Sequence, residues 1–514
     1  MIDPRRSLCN RSIVLESGVE TQGRRRNKPA AAFLAAGLCA AGLAMAQTPP
    51  PADAPLSPEA QRGFAVYTGN CAACHGPRGR GAQGPSITGP MFRYGSSDEE
   101  LESSIRGGHP AGGMPSFNDV LSSAEIKEII AFIRSQADTI APGELGPLPT
   151  IVPADPWPTG VVRTAVQDFR VEKVAQIPQP FGLAPLPNGG FLVTQTTGAL
   201  RIVDKAGRVS DPIIGIPKGL PTQDEMRRNT LDVALHPDYA KNGWIYLTWA
   251  EQQPGVKGAP GVRITLSRGR IKDGRWIDNQ NLLTTPSHMS GSAKIAFDGA
   301  GHVFYPILDA DVADSAPEKA PAQDLSLPGG KILRLNDDGS VPSDNPFVGR
   351  KDAFPYVWSY GHRAPLGLAF DHDGLLWETE NGPRGGDELN LILPAKNYGW
   401  PVITWGHRYD DKAVTPRPQQ AGMEQPVYNW SPTPALSSIR FYNGTAFPKW
   451  KGSAFIGTLK YRSLMRATLT KDRVVLLETI LFNVGRMRDL QIGPDGLIYL
   501  ITDGGELMRL RPAR

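Results

Sequence analysis

Gly367-Leu368-Ala369-Phe370-Asp371-His372-Asp373-Gly374 is a short apolar run that ends in an Asp/Gly turn, and the chain repeats this pattern. It recurs at 182–189, 231–238, 294–301 and 490–496, and in degenerate form at 438–444. Each copy leads into a second apolar stretch, such as 244–249, 303–308 or 497–501. Apolar runs of this length, bounded by Gly, Pro, Asn and Asp, read as strands joined by tight turns. A recurrence of roughly 50–70 residues suits four-stranded blades rather than helical solenoid units. Six units predict an all-β, six-bladed propeller over residues 166–514, with a central channel that collects loops from every blade. An irregular array of β-sandwiches is the alternative. The 56 Gly and 48 Pro agree with many turns between short strands.

The whole chain of 514 residues is too long for one ordinary core, so a second folded unit is expected ahead of the repeats. Composition is globular, with 40% hydrophobic and 21% charged residues. Residues 1–46 contain seven bases and three acids, which accounts for the entire net charge of +4. The remainder is neutral, and a basic nucleic-acid footprint is excluded. Within those 46 residues, Arg24-Arg25-Arg26-Asn27-Lys28 precedes an apolar stretch from Ala30 to Met45, and Ala44-Met45-Ala46 offers an A-x-A cleavage site. That is the layout of a signal peptide. A periplasmic protein is expected, soluble or peripherally attached to a membrane.

Cleavage would leave two cysteines, both in Cys71-Ala72-Ala73-Cys74-His75. C-x-x-C-H is the attachment pattern of c-type haem: two thioethers to the porphyrin, with the adjacent imidazole as proximal iron ligand. Ser57-Pro58 predicts a helix start that brings Phe64 and Tyr67 to the haem. Ser122-x-x-Glu125 predicts a second helix through a capping box, with Leu121 and Ile126 as its staple. Ile126, Ile129, Ile130 and Ile133 form one apolar stripe on it. Gly112-Gly113-Met114-Pro115 places a thioether on a loop between the helices, and Met114 is the expected sixth ligand, ahead of Met91 and His109. Residues 57–138 resemble a class I cytochrome c, a small all-α domain. Residues 139–165, rich in Pro, read as a semi-rigid spacer.

The densest polar stretch runs from Trp377 to Asn390 as W-E-T-E-N-G-P-R-G-G-D-E-L-N, followed by Asn397-Tyr398-Gly399-Trp400-Pro401. Carboxylates and carbonyls on adaptable loops suit a hard divalent cation. Together with Ser359-Tyr360-Gly361-His362-Arg363, Ala322-Gln323-Asp324-Leu325, 330–335 and Asp344-Asn345-Pro346-Phe347, this stretch resembles the soluble aldose sugar dehydrogenases that depend on pyrroloquinoline quinone (PQQ). The resemblance covers about residues 170–514, and that family is a six-bladed propeller.

The resemblance implies roles residue by residue. The carbonyls of Gly382 and Pro383 would hold the calcium that grips the quinone. Glu388, with the carbonyl of Tyr398, would hold a second, structural calcium. Arg486 and Arg488 would contact the anionic quinone, Lys460 would polarise its carbonyls, and Arg363 would add a further contact. Cations aimed at a quinone that gains charge on reduction make electrostatic sense. His288 matches the family's general base, and neutral imidazole suits a proton acceptor near neutral pH. Asp309 matches a pocket aspartate and is the next candidate, after His288, for a catalytic proton acceptor.

Several positions depart from the family. Two extra residues separate His288 from the next basic side chain, Lys294. Asp309 is flanked by Leu308 and Ala310, and Ala364 replaces the Asn expected after Arg363. Arg227 in Met226-Arg227-Arg228-Asn229 stands near the usual Gln, where it could meet a quinone carboxylate. The expectation is an exported quinohaemoprotein with haem c, PQQ and calcium. A sugar, polyol or aldehyde would be its substrate, and a cytochrome or other respiratory component its electron acceptor. The alternative is a non-catalytic haem and propeller protein that binds a redox partner or a glycan.

Overall fold

The computed structural model describes residues 56–75, 87, 97–109, 114–137, 154–217, 230–252, 262–287, 293–309, 316–406, 414–415, 417–431 and 433–513. The leader, Met91, Arg227 and His288 lie outside the described residues.

The first described part is helical: α1 (Pro58–Asn70), α2 (Ala72–His75), α3 (Asp98–Gly107) and α4 (Ser123–Ala137). Ser57 caps α1 by accepting from the Ala60 amide. The expected box at α4 forms in both directions, Glu125 N to Ser122 Oγ at 3.3 Å and Ser122 N to Glu125 Oε2 at 2.8 Å. A second box, Ser97 with Glu100, starts α3, a helix that the sequence reading omitted. The isoleucine stripe of α4 is buried with Tyr67, Leu101, Ile105 and Phe132. Periodicity of three to four residues thus places one face of each helix in a common core.

From Phe169 onward the described residues form six antiparallel sheets. Five have four strands; the first, between Pro180 and Val203, has three among the described residues. Every repeat found in the sequence falls on an edge strand of its sheet: 180–185, 230–235, 296–297, 365–370, 436–441 and 487–492. Gly374 (φ +77°) and Gly496 (φ +75°) occupy the left-handed region in their hairpin turns, where a Cβ would be strained. Asp371 fixes the fourth sheet's turn by accepting from the amides of Asp373 and Leu375, each at 2.9 Å.

The repeat's leading glycine has a steric reason. A Cβ at Gly367 would stand 2.3 Å from Thr379 Oγ1, and one at Gly182 would stand 2.7 Å from Asp232 Oδ1. First strands therefore approach the neighbouring polar groups more closely than a methyl allows. Apolar clusters fill every seam between consecutive sheets, from Ala184 and Val233 between the first and second to Leu183 and Tyr499 between the sixth and first. A closed ring of seams is a propeller. Strand Phe169–Gln176 pairs antiparallel with Glu506–Pro512 in the sixth blade, joining the two ends of the ring without a covalent bond. Of the expected spacer, residues 154–165 are tied to this part: Asp155 N donates to Asn483 O and Ala165 N to Glu478 Oε1, each at 2.7 Å.

Candidate active site

Helix α2 carries Cys74 and His75, and its first turn follows Cys71. Cys71, Ala72, Met114 and Phe117 pack at the half-buried rim of the helical core. His109 and Met114 exchange backbone hydrogen bonds, 2.9 and 3.1 Å, so an antiparallel bridge sets two of the three ligands considered side by side. A thiol and a thioether packed at the edge of one apolar core fit a covalently attached haem.

In the propeller, contacts link the expected site residues in an arc across four blades. Asp309 N donates to Arg363 O at 2.9 Å, and Arg363 Nη1 donates to Asn381 O at 2.7 Å, beside Gly382. The Arg363 guanidinium also lies 5.3 Å from the Trp400 ring centroid. Gly382 and Pro383 are buried, and Gly382 N donates to Asp387 Oδ1 at 3.0 Å. Asp387 reaches into the fifth blade, where it accepts from Thr433 Oγ1 at 2.5 Å and Leu436 N at 3.1 Å. Its burial pushes the carboxyl up to about 6 against these hydrogen bonds. Leu459 and Lys460 then bond back to Ala435 and Pro434, with the Lys460 side chain exposed. Arg486 donates to Leu459 O at 3.4 Å and to Asp503 Oδ2 at 2.8 Å, and Arg488 forks onto the same Asp503 carboxylate. The two guanidiniums hold the Asp503 carboxyl below the usual carboxylate range despite its burial.

Beyond Arg488 lies Phe181, whose ring centroid is 5.7 Å from the guanidinium carbon and 5.9 Å from Lys294 Nζ. Lys294 is enclosed between two carboxylates, 2.9 Å from Asp232 Oδ1 and 2.7 Å from Asp489 Oδ2. The basic side chain that follows His288 is therefore part of an interior ion triad. Asp232 Oδ2 also accepts from Ile295 N at 2.8 Å, which diverts that amide from the sheet and leaves the first strand of the third blade only two residues long.

Asp309 is wholly buried, with its Oδ2 accepting from Ala322 N at 2.8 Å, an arrangement suited to holding a loop. Glu388 is buried on the fourth blade, where Asn390 Nδ2 bridges Glu388 Oε2 at 3.2 Å and Glu378 Oε2 at 3.0 Å. Tyr398 N donates to Tyr360 O at 2.8 Å, and its ring stacks on His362 at 4.6 Å. Along this arc, among the described residues, the buried Nε of Arg363, which fits an anionic guest, and the buried Oδ1 of Asn381 beside Gly382, which fits a cation, have no hydrogen-bond partner. The arc thus suits an anionic cofactor gripped with calcium. Sequence reading missed Asp387 and the triad, whose partners lie far apart along the chain, and Asp503, which one hairpin of the sixth blade sets beside Arg486 and Arg488. It also missed a buried group formed by His362, Glu378 and Glu380.

Comparison with known proteins agrees with both parts. Residues 177–509 match the family described as glucose/sorbosone dehydrogenase, and residues 58–133 match cytochrome c oxidase, cbb3-type, subunit III. Aldose sugar dehydrogenase YliI of Escherichia coli is 36% identical over 348 residues, spanning 66% of this chain and 91% of that protein. The crystal structure of the soluble aldose sugar dehydrogenase from E. coli, in its apo form, superposes with a TM-score of 0.60 at 33% identity, covering 67% of this chain and 100% of that one. The PQQ-bound aldose sugar dehydrogenase of Streptomyces coelicolor gives a TM-score of 0.52 at 26% identity, covering 67% and 98%. Sequence, ring topology and these likenesses converge: the chain belongs to the glucose/sorbosone dehydrogenase family, with a cytochrome c domain ahead of its six-bladed propeller.

Proposed function

We propose that this protein is an exported dehydrogenase that oxidises an aldose, or a related polyol or aldehyde, with PQQ and passes the electrons to its own haem. The observation that carries the reading is the arc of contacts joining Arg363, Gly382, Lys460, Arg486 and Arg488. When bound, PQQ supplies a two-electron acceptor for the hydride that leaves the substrate carbon. Arg363, Arg486 and Arg488 would bind and orient it by charge-assisted contacts, with Lys460 at the rim and Arg227 as a further cation. The Gly382 and Pro383 carbonyls would hold the accompanying calcium, with Asp387 fixing their loop from the fifth blade. Glu388 and the Tyr398 carbonyl would hold the second calcium. His288 would accept the substrate hydroxyl proton, and Asp309 would support the Arg363 loop through its backbone.

The fusion supports the second half of the reading. A haem domain on a short Pro-rich tether stays at high effective concentration near the propeller, so electron hand-over needs no diffusional encounter. From there electrons would leave to a cytochrome or another respiratory component. The signal-like leader supports a periplasmic location. Among the described residues no helix is long and apolar enough to cross a membrane. The test is optical: protein loaded with PQQ and calcium should show haem reduction when an aldose is added. Haem that stays oxidised across a panel of aldoses, polyols and aldehydes would overturn the proposal.

A further inference from the structure

The seam between the third and fourth blades is apolar through Phe304, Ile332, Leu368 and Leu376, yet it also encloses several titratable groups. Glu378 and Glu380 project from strand Leu376–Glu380, and register pairs them with Asn390 and Glu388 on the next strand. Alternation along a strand sends all four side chains to one face. His362, on the loop that links the two blades, meets that face and is fully buried. One ligand atom from each of His362, Glu378 and Glu380 lies within 4.8 Å of the others.

Acidic groups alone would prove little, but here an imidazole nitrogen, His362 Nδ1, is directed at them and lacks a hydrogen-bond partner. His362 Nε2 bonds to Ser359 Oγ at 2.9 Å, which fixes the ring. Its Nδ1 points to Glu380 Oε2 at 3.9 Å, beyond hydrogen-bond reach, and is satisfied by nothing in the chain. Glu378 Oε1 and Asn390 Oδ1 are likewise buried without partners. Arg363, the basic neighbour, directs its guanidinium to Asn381 O and gives Glu380 Oε2 only its main-chain amide, at 3.0 Å. Among the described residues neither Glu378 nor Glu380 forms a salt bridge with Lys or Arg. Three buried polar atoms without partners on three neighbouring residues call for a guest or for protons.

We propose that His362, Glu378 and Glu380, with the Asn390 side-chain oxygen, form a zinc-type divalent metal site in this seam, apart from the calcium position proposed at Gly382–Pro383 and adjoining the one at Glu388–Tyr398 through Asn390. The donor set decides the ion. Calcium takes six to eight oxygens, whereas one imidazole, two carboxylates and one amide oxygen make a four-coordinate N/O shell of the kind zinc accepts. Ligands at ~2.0–2.1 Å around a tetrahedral ion are ~3.3 Å apart. The cluster would contract by roughly an ångström, within reach of the glutamate side-chain torsions. Ser359 would serve as the outer partner that sets the imidazole tautomer, leaving Nδ1 for the metal. Such an ion would staple two blades and neutralise two carboxylates whose burial otherwise drives them well above the usual range. The rival account is two neutral carboxylic acids with no metal.

The test uses the full-length, untagged protein, produced with added zinc and purified in excess calcium. Elemental analysis should find about one zinc per chain, and X-ray absorption at the zinc edge should show one imidazole among oxygen ligands. Glu378→Gln and His362→Asn should each reduce retained zinc to about a tenth or less. No zinc in the parent protein would establish the protonated pair and overturn the site. So would zinc retained unchanged by both variants, or an absorption spectrum without imidazole. The spectrum is measured on the parent chain, so the proposal stays falsifiable even if a variant does not fold.

Discussion

Replacing Lys294 by methionine tests whether the interior triad holds the ring together. Lys294 and Asp232 side chains are 2% exposed and Asp489 is fully enclosed, so water cannot take over from the ammonium. The two carboxylates keep amide partners, Ile295 N on Asp232 and Leu183 and Leu490 N on Asp489, but no full positive charge remains between them. Arg440 is the nearest other cation, 3.8 Å from Asp489 Oδ1. Removing one partner from a buried ion group costs about 3–5 kcal/mol, because the remaining charges are stranded. For a propeller of roughly 340 residues, an unfolding entropy of ~2.1 cal/mol/K per residue turns that into a melting shift of about 4–7 °C.

The pH dependence supplies the second half of the test. Burial and the neighbouring Asp489 already raise the Asp232 carboxyl above its ordinary value, with Lys294 opposing them. Without the lysine the rise is larger, so the folded variant holds a proton that the unfolded chain has released. Stability then falls as pH rises from near the unfolded carboxylate range through the raised folded value. Lys294→Met should accordingly lie closer to the parent near pH 5 than near pH 7.5, and Asp232→Asn or Asp489→Asn added to it should restore part of the loss. Thermal unfolding followed by far-ultraviolet circular dichroism at both pH values measures this. A melting temperature within a degree of the parent, with no change in pH slope, would refute the argument that the triad is an uncompensated charge group without its lysine.

Other expectations are more local. His288→Ala should slow sugar turnover by roughly a hundredfold or more while leaving PQQ affinity and the haem spectrum intact; turnover at the parent rate would assign the proton to another group. Arg486→Ala should chiefly weaken PQQ binding, measured by titrating apo-protein, because it removes a charge-assisted contact while Arg488 remains on Asp503. Met114→Ala should lower the haem reduction potential and remove the Met–iron absorption band, and an unchanged band would move the sixth ligand to Met91 or His109. Thorough calcium chelation should abolish PQQ-dependent haem reduction and lower the melting temperature, since an ion bound only to the folded state stabilises it. Indifference of both readings would remove calcium from the site.

Much of the architecture could be read from local chemistry. The cysteine motif, the Ser57 and Ser122 caps and the isoleucine stripe are short-range signals, and the helices follow them. The six repeats each combine an apolar run with a turn that needs Gly or Asp, and each falls on an edge strand of one sheet. Helix α3 escaped notice although Ser97 and Glu100 form an equally clear box, because its apolar positions, Leu101 and Ile105, are few.

The interior polar groups could not be read in that way. Nothing local joins Asp232 to Lys294 and Asp489, or His362 to Glu378. Residues within one turn or one hairpin set where each repeat begins, where it turns and which short motif suits a haem, so those features are legible along the chain. Tertiary structure decided which carboxylates lose water together and which cations or open positions face them. Desolvation and charge pairing depend on distance in space, and ring closure sets those distances only once all six blades are in place.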